Sequence, residues 1–429
     1  MIHKKLHEYD RLDYEELNLD LAKANGLKKY LDNSGLRGAL EFHSDHLKAT
    51  QYVGVINYRG RRIDVLPKLL SGGVGPDNDE EIRLMQRNLL IMLSYTNHLH
   101  IKDSDLSNFD LGKDNLIDVF IYLFARDLVF ALNKEVLHSY ENKEENVSFI
   151  KGKISFHKDS VINQFNRSKT VCSFTSFEHN NIFNQTFYFL SEKLLALTNN
   201  SATKQYLNQA LKCLEGVSRK QISYDQIKDK VVGRSFENFE TPFNFAKVFL
   251  KNNRPSLSSG SSENYCLMFN MNNVFEEFIY SALNRNKIKL GLSRVEFQRN
   301  RTLFQSWIDL STNDELGGFG SVRNDIYLEF SNKMRPPLII DTKYKEVSSV
   351  KDVSSEDFFQ LLTYRHIERK AGLLNTPEIK LVYPQKSAKI KARLTFSGQD
   401  KTLINVRTFP LRDLTAESIF LLLEEMLTA

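Results

Sequence analysis

Apolar residues at 274, 275, 278, 279, 282 and 283 recur with the spacing of a helix buried along one face, and predict a helix over 274–283. Two short apolar runs follow, Ile326–Tyr327–Leu328 and Leu338–Ile339–Ile340, separated by a polar stretch that carries Pro336 and Pro337. They predict two strands joined by a turn. Residues 355–366 read as a helix capped by Ser354 or Ser355, and 379–384 as a strand. The C-terminal order is therefore helix, strand, strand, helix, strand, with a closing helix over 420–427.

Upstream the periods change. Residues 83–95, 116–132 and 186–197 are long apolar-periodic runs that predict helices, with a short strand pair around 149–156 and 170–175. Near the N-terminus, the stretches 52–56 and 63–68 flank a tight Arg59–Gly60 turn. Residues 69–81 form a Gly/Pro/acid loop, and 254–262 a Ser/Gly/Pro linker. The chain thus divides into a β-containing N-terminal domain (1–75), a mainly helical middle domain (76–255) and a C-terminal α/β domain (256–429).

The C-terminal strands also carry chemistry. Asp341 and Lys343 are alternate residues and share a strand face. If the strands fold back about Met334, Asp325 lies opposite Lys343 and Asp341 opposite Tyr327. Two carboxylates and a lysine in one cleft suit phosphodiester hydrolysis. A hard cation such as Mg2+ takes oxygen ligands, acidifies bound water and offsets charge on the phosphorane, while an ammonium orients the water or stabilises the transition state. On the hairpin alone, a structural Asp–Lys pair at a strand end reads equally well. Glu276 sits at the edge of the helical stripe, within reach of such a site. Gln360 and Tyr364, four apart, share a face of the second helix.

The array resembles the C-terminal nuclease of the McrC family, the cleavage subunit of modified-cytosine restriction systems, whose core is the PD-(D/E)xK restriction-endonuclease-like fold. Val274–Phe275–Glu276, Arg323–Asn324–Asp325 and Ile340–Asp341–Thr342–Lys343–Tyr344 carry the likeness, with the glutamine–tyrosine helix of Gln360 and Tyr364. Asn324 stands where the family usually has proline. Upstream, Leu66–Pro67–Lys68, Lys151–Gly152–Lys153 and Glu178–His179–Asn180–Asn181 also match, so the resemblance runs from about residue 50 to about 385. It implies a metal-dependent endodeoxyribonuclease. Asp325, Asp341, Lys343, Glu276 and Gln360 would be catalytic, and Asp325, Asp341 and Glu276 would hold Mg2+, with Mn2+ as the alternative. It also implies a McrB-like AAA+ GTPase ring as partner, entered by the N-terminal part, and DNA as substrate. Arg59, Arg61 and Arg62 are then candidate ring contacts, or ordinary solvated turn charges.

Composition narrows the picture modestly. With 58 Lys and Arg against 53 acids the chain is only mildly basic, so a partner is expected to share the DNA grip. Cys172, Cys213 and Cys266 lack metal-ligand spacing and are too few for a disulfide framework, which points to a reduced cytoplasm. No run approaches about 18 apolar residues, so no membrane association is expected. The chain has no phosphate-loop lysine: Gly317–Gly318–Phe319–Gly320 reads as a hairpin tip. His43 with His46, and His98 with His100, lack further metal partners and read as packing or surface residues. Trp307 sits in an expected strand, and Lys386, Lys389, Lys391 and Arg393 line either a phosphate track or a solvated hairpin face. Two other functions stay open: an activating subunit with a vestigial nuclease, and a self-sufficient defence nuclease. Double-strand cleavage would call for self-association through the nuclease domain.

Overall fold

The computed structural model describes residues 2–70, 79–96, 116–253, 264–309, 311, 314–370, 377–386, 389–395 and 403–428. It is a mixed α/β chain, as expected. Contacts gather it into two compact units, Met1–Leu116 with Asn264–Ala429, and Ile117–Glu263, where local sequence patterns suggested three. Among the described residues no helix is long and apolar enough to cross a membrane.

The first unit opens with β1 (Ile2–His7), β2 (Arg11–Asp13), α1 (Leu21–Asn33), β3 (Leu40–Phe42), β4 (His46–Ala49), β5 (Tyr52–Tyr58), β6 (Arg61–Leu66) and α2 (Asp79–Tyr95). β5 and β6 form the expected hairpin. Arg59 and Gly60 both have positive φ, 49° and 73°, the pair of left-handed residues whose twist matches the flanking strands. Arg61 donates to the carbonyls of Leu17 and Asn18, and buried Arg62 grips Asp64 with two hydrogen bonds. Of the three candidate ring contacts, then, Arg61 and Arg62 are committed internally. Arg59 lies over the Tyr58 ring and is exposed.

The second unit contains α3 (Leu116–Lys134, which starts at the unit boundary), β7 (Ser139–Val147), β8 (Lys153–Ile154), α4 (Phe156–Ile162), β9 (Thr170–Glu178), α5 (Ile182–Leu197), α6 (Ser201–Cys213), α7 (Tyr224–Ile227) and α8 (Glu240–Asn252). Its sheet runs β7-β9-β8. The asparagine-rich motif starts α5: the Asn181 side chain accepts from the Phe183 and Asn184 amides, and Asn184 donates to the Leu137 carbonyl.

The chain then returns to the first unit through β10 (Tyr265–Asn270), α9 (Met271–Arg285), β11 (Leu292–Asp309), β12 (Asp314–Phe330), β13 (Leu338–Thr342), α10 (Ser355–Lys370), β14 (Glu378–Gln385), β15 (Lys391–Thr395), β16 (Leu403–Pro410) and α11 (Ala416–Leu427). β10 pairs antiparallel with β5, completing the sheet β1-β6-β5-β10 and fusing the N- and C-terminal parts. Gly54 makes this approach feasible. Its φ is +136°, and a Cβ there would lie 2.0 Å from the Leu267 carbonyl oxygen. Gly54→Ala is expected to cost about 2 kcal/mol or more through this clash, read as a lower urea midpoint; an unchanged midpoint would refute it. Buried Glu8 also joins the two parts. Its Oε2 accepts from the Lys68 amide at 2.9 Å and the Tyr344 hydroxyl at 3.3 Å, and burial pushes its carboxyl up to about 8.

The larger sheet runs β11-β12-β13-β14-β16-β15, with β12 and β13 antiparallel and β13, β14 and β16 parallel. Tyr327, Ile339, Leu381 and Tyr383 pack from it against Leu361 and Tyr364 of α10. Two details differ from expectation. Gly317 and Gly320 lie inside β12, Gly317 pairing with Ser306, so the glycines belong to a two-stranded ribbon and are not its tip. The β12–β13 register also differs. Tyr327 faces Ile339, and continuing the ladder sets Asp325 across from Asp341, not Lys343. The turn is closed by the Arg335 amide on the Asn332 carbonyl, so the hairpin folds one residue earlier than Met334. A two-residue slip preserves the face, and the charged groups still converge.

Candidate active site

The β12–β13 ladder ends at Ile326 and Ile340, and the first residues beyond it are Asp325 and Asp341. Thr342 fixes the first: its amide and hydroxyl donate to Asp325 Oδ2 at 2.8 and 3.0 Å. Asp341 is 0% exposed, and its Oδ1 has no hydrogen-bond partner among the described residues. Its Oδ2 is paired with the Lys343 ammonium, whose Nζ lies 2.8 Å away. The Lys343 amide donates to Val382 of β14, which anchors the backbone just after the site.

Helix α10 supplies the far wall. Lys343 Nζ donates to Gln360 Oε1 at 3.2 Å, Gln360 Nε2 donates to the Tyr364 hydroxyl, and that hydroxyl donates to the Arg323 carbonyl. The chain of contacts therefore runs from the lysine through the helix back to the strand bearing Asp325. Ser354, not Ser355, takes the capping position, accepting from the Asp357 amide. Asp357 is tied in turn to Lys345 and the Tyr383 hydroxyl, which fixes the start of α10.

Crowded carboxylates show in the electrostatics. Burial, then the charge of Asp325, pushes Asp341 up to about 7 against the pull of Lys343. Burial raises Asp325 as well, against the Thr342 hydrogen bonds. On α9, burial and then Asp325 push Glu276 up to about 7. Burial alone would lower Lys343, but Asp341, Asp325 and Asp357 together outweigh it and the ammonium is strengthened. Three carboxyls held above their usual range mark a site that gains from added positive charge.

A divalent cation would fit that need. Asp341, fully buried and with Oδ1 unpartnered among the described residues, lies across from Asp325, and Mg2+ needs only one or two protein carboxylates because it keeps several waters. Mn2+ takes the same oxygen donors. Among the described residues no three of His, Cys, Asp or Glu form a ready-made metal cluster, so Glu276 flanks the aspartate pair without closing a triad around it. Thr342 and Gln298, which donates to Glu276 Oε1 at 3.0 Å, were not identified from the sequence. A threonine between Asp341 and Lys343 was the only local hint of the first.

Other candidates fall away from the site. His43 and His46 stack on each other at 4.4 Å, with His46 held by Asp45, while His98 and His100 lie outside the described residues. Lys386 and Lys389 are paired with Glu346 and Glu425, and Arg393 donates to Asn405.

Comparison with known proteins adds an independent line. The family described as McrBC 5-methylcytosine restriction system component matches residues 47–384. The type IV methyl-directed restriction enzyme EcoKMcrBC of Escherichia coli (strain K12) is 23% identical over 337 residues, 75% of this chain and 91% of that protein. Among solved structures, a half-complex from the tetradecameric assembly of Thermococcus gammatolerans McrB AAA+ hexamers with bound McrC is similar with a TM-score of 0.63. It is 20% identical and covers 99% of both chains, a likeness of fold.

Proposed function

This chain belongs to the McrBC 5-methylcytosine restriction system component family, and we propose that it is the DNA-cleaving subunit of such a system. The observation that carries the reading is Asp341: buried, with Oδ1 unpartnered among the described residues, across from Asp325 and paired with Lys343 at 2.8 Å. A site of PD-(D/E)xK type needs that combination. Asp325 and Asp341, flanked by Glu276, would hold Mg2+, which when bound supplies charge neutralisation and a more acidic water. Lys343 orients the attacking water or stabilises negative charge developing on the phosphorane. Gln360 holds the Lys343 ammonium in place, and Tyr364 holds Gln360.

The chain itself has no nucleotide-binding phosphate loop, so an energy-driven reaction needs a second protein. The similar archaeal McrC is solved bound to McrB AAA+ hexamers, which supports a McrB-like GTPase ring as the partner and driver here. DNA modified at cytosine would be the substrate, selected largely by that ring, in the cytoplasm. Cleavage of both strands would bring two of these nuclease centres together.

The test is cleavage of methylated DNA by the purified chain with Mg2+, with and without the ring and GTP. Cutting in the full mixture alone is the expected result. Stimulated GTP hydrolysis without any cutting would replace this reading by that of an activating subunit, and cutting by the chain alone by that of a self-sufficient nuclease.

A further inference from the structure

Along β11 one residue breaks the rule of its strand. Phe297 and Gln298 are consecutive, and consecutive strand residues point to opposite faces. Yet both reach α9: the Phe297 ring stacks on Tyr280 at 4.7 Å, and Gln298 Nε2 donates to Glu276 Oε1 at 3.0 Å. The next residue, Arg299, goes the other way, its guanidinium lying 3.9 Å from the centre of the Tyr327 ring. Tyr327 belongs to the face packed on α10.

The backbone explains the exchange. Gln298 has φ +49°, in the left-handed region that a residue with a long side chain rarely adopts. The pairing is Phe297 with Ile326 and Arg299 with Asn324 on either side, so the register is unbroken and the kink falls opposite Asp325. No glycine or asparagine relieves it. A strained backbone held opposite a candidate metal ligand is the kind of outlier that marks function. Here it turns one amide from the α10 side of the sheet to the carboxylate on α9.

Resting on the nuclease reading above, we propose that Gln298 is a positioning residue of this site. By holding Glu276 Oε1, it keeps that carboxylate turned towards the Asp325–Asp341 pair and its cation. Glu276 comes from a helix outside the hairpin that presents the aspartates, so nothing in the hairpin's own geometry fixes it. The strained strand residue supplies the missing restraint.

Two substitutions separate positioning from simple packing. Asparagine tolerates left-handed φ but is one methylene too short to reach Glu276; glycine accepts the φ freely and has no amide. The measurements are calorimetric titration of the purified chain with Mn2+, melting in chelator, and cleavage of methylated DNA with Mg2+, ring and GTP. Gln298→Asn and Gln298→Gly are expected to weaken Mn2+ binding and slow cleavage roughly 10- to 100-fold, as loss of a ligand-orienting partner does. Neither is expected to melt lower than the wild type in chelator. Wild-type Mn2+ affinity and cleavage in both variants would overturn the proposal, as would losses that track a fall in melting temperature. A wild-type chain that neither binds Mn2+ nor cuts would instead overturn the nuclease reading, and this inference with it.

Discussion

Asp341→Asn is expected to slow cleavage by about a thousandfold or more while making the folded chain more stable at pH 8. The rate loss follows from removing a buried carboxylate that is proposed to hold the cation, an effect worth several kcal/mol at the transition state. The stability gain follows from the proton. Burial, then the charge of Asp325, pushes the Asp341 carboxyl up to about 7 in the fold against an ordinary 3.8. Between those values the folded chain keeps a proton that the unfolded chain has released, so stability falls as pH rises through that window. The stabilising contribution is fully present below about pH 4 and gone above about pH 7. Asparagine carries no charge at either end. The variant's advantage should therefore be near zero at pH 4 and reach a few kcal/mol at pH 8, in the absence of divalent metal. Melting temperatures in chelator across that range test it. A variant that melts below the wild type at pH 8, or one that cuts at the wild-type rate, would sink the assignment of Asp341.

That trade between stability and chemistry also explains what could be read in the sequence. That Asp325, Asp341 and Lys343 converge was legible because charged residues abutting Leu338, Ile339 and Ile340 conflict with the apolar pattern. The α9 stripe was legible for the opposite reason: Val274, Phe275, Phe278, Ile279, Ala282 and Leu283 are all buried in one period. What failed depends on partners distant in the chain. β7, Ser-Tyr-Glu-Asn-Lys-Glu-Glu-Asn-Val, has almost no apolar residue and is a strand only because β9 pairs with it. The merging of the N- and C-terminal parts rests on β10 meeting β5 across a separation no local pattern records. The register missed by two because Asn332 and Arg335 close the turn one residue earlier than a hinge at Met334 would. Gln298 was unreadable in principle: nothing in a glutamine on a strand announces a φ of +49°.

Lys343→Ala should be as damaging to cleavage as Asp341→Asn and opposite in its effect on the fold. The ammonium lies 2.8 Å from Asp341 Oδ2, and its removal leaves a fully buried carboxylate without a counter-charge. Breaking a buried pair from one side is costly because the remaining charge is stranded. The cost is bounded here, since Asp341 can take up a proton, and so should be on the order of 2 kcal/mol at pH 8 and vanish towards pH 5. The double variant Asp341→Asn/Lys343→Ala then becomes the decisive comparison. With no carboxylate left to strand, it should recover the melting temperature lost in Lys343→Ala while remaining unable to cut DNA. Non-additive stability alongside uniformly lost activity would identify the pair as one unit whose internal repulsions the fold tolerates for the sake of the cation. If the double variant melted as low as Lys343→Ala, the lysine would be acting through packing, and if Lys343→Ala alone still cut DNA at the wild-type rate, its role in the transition state would be refuted.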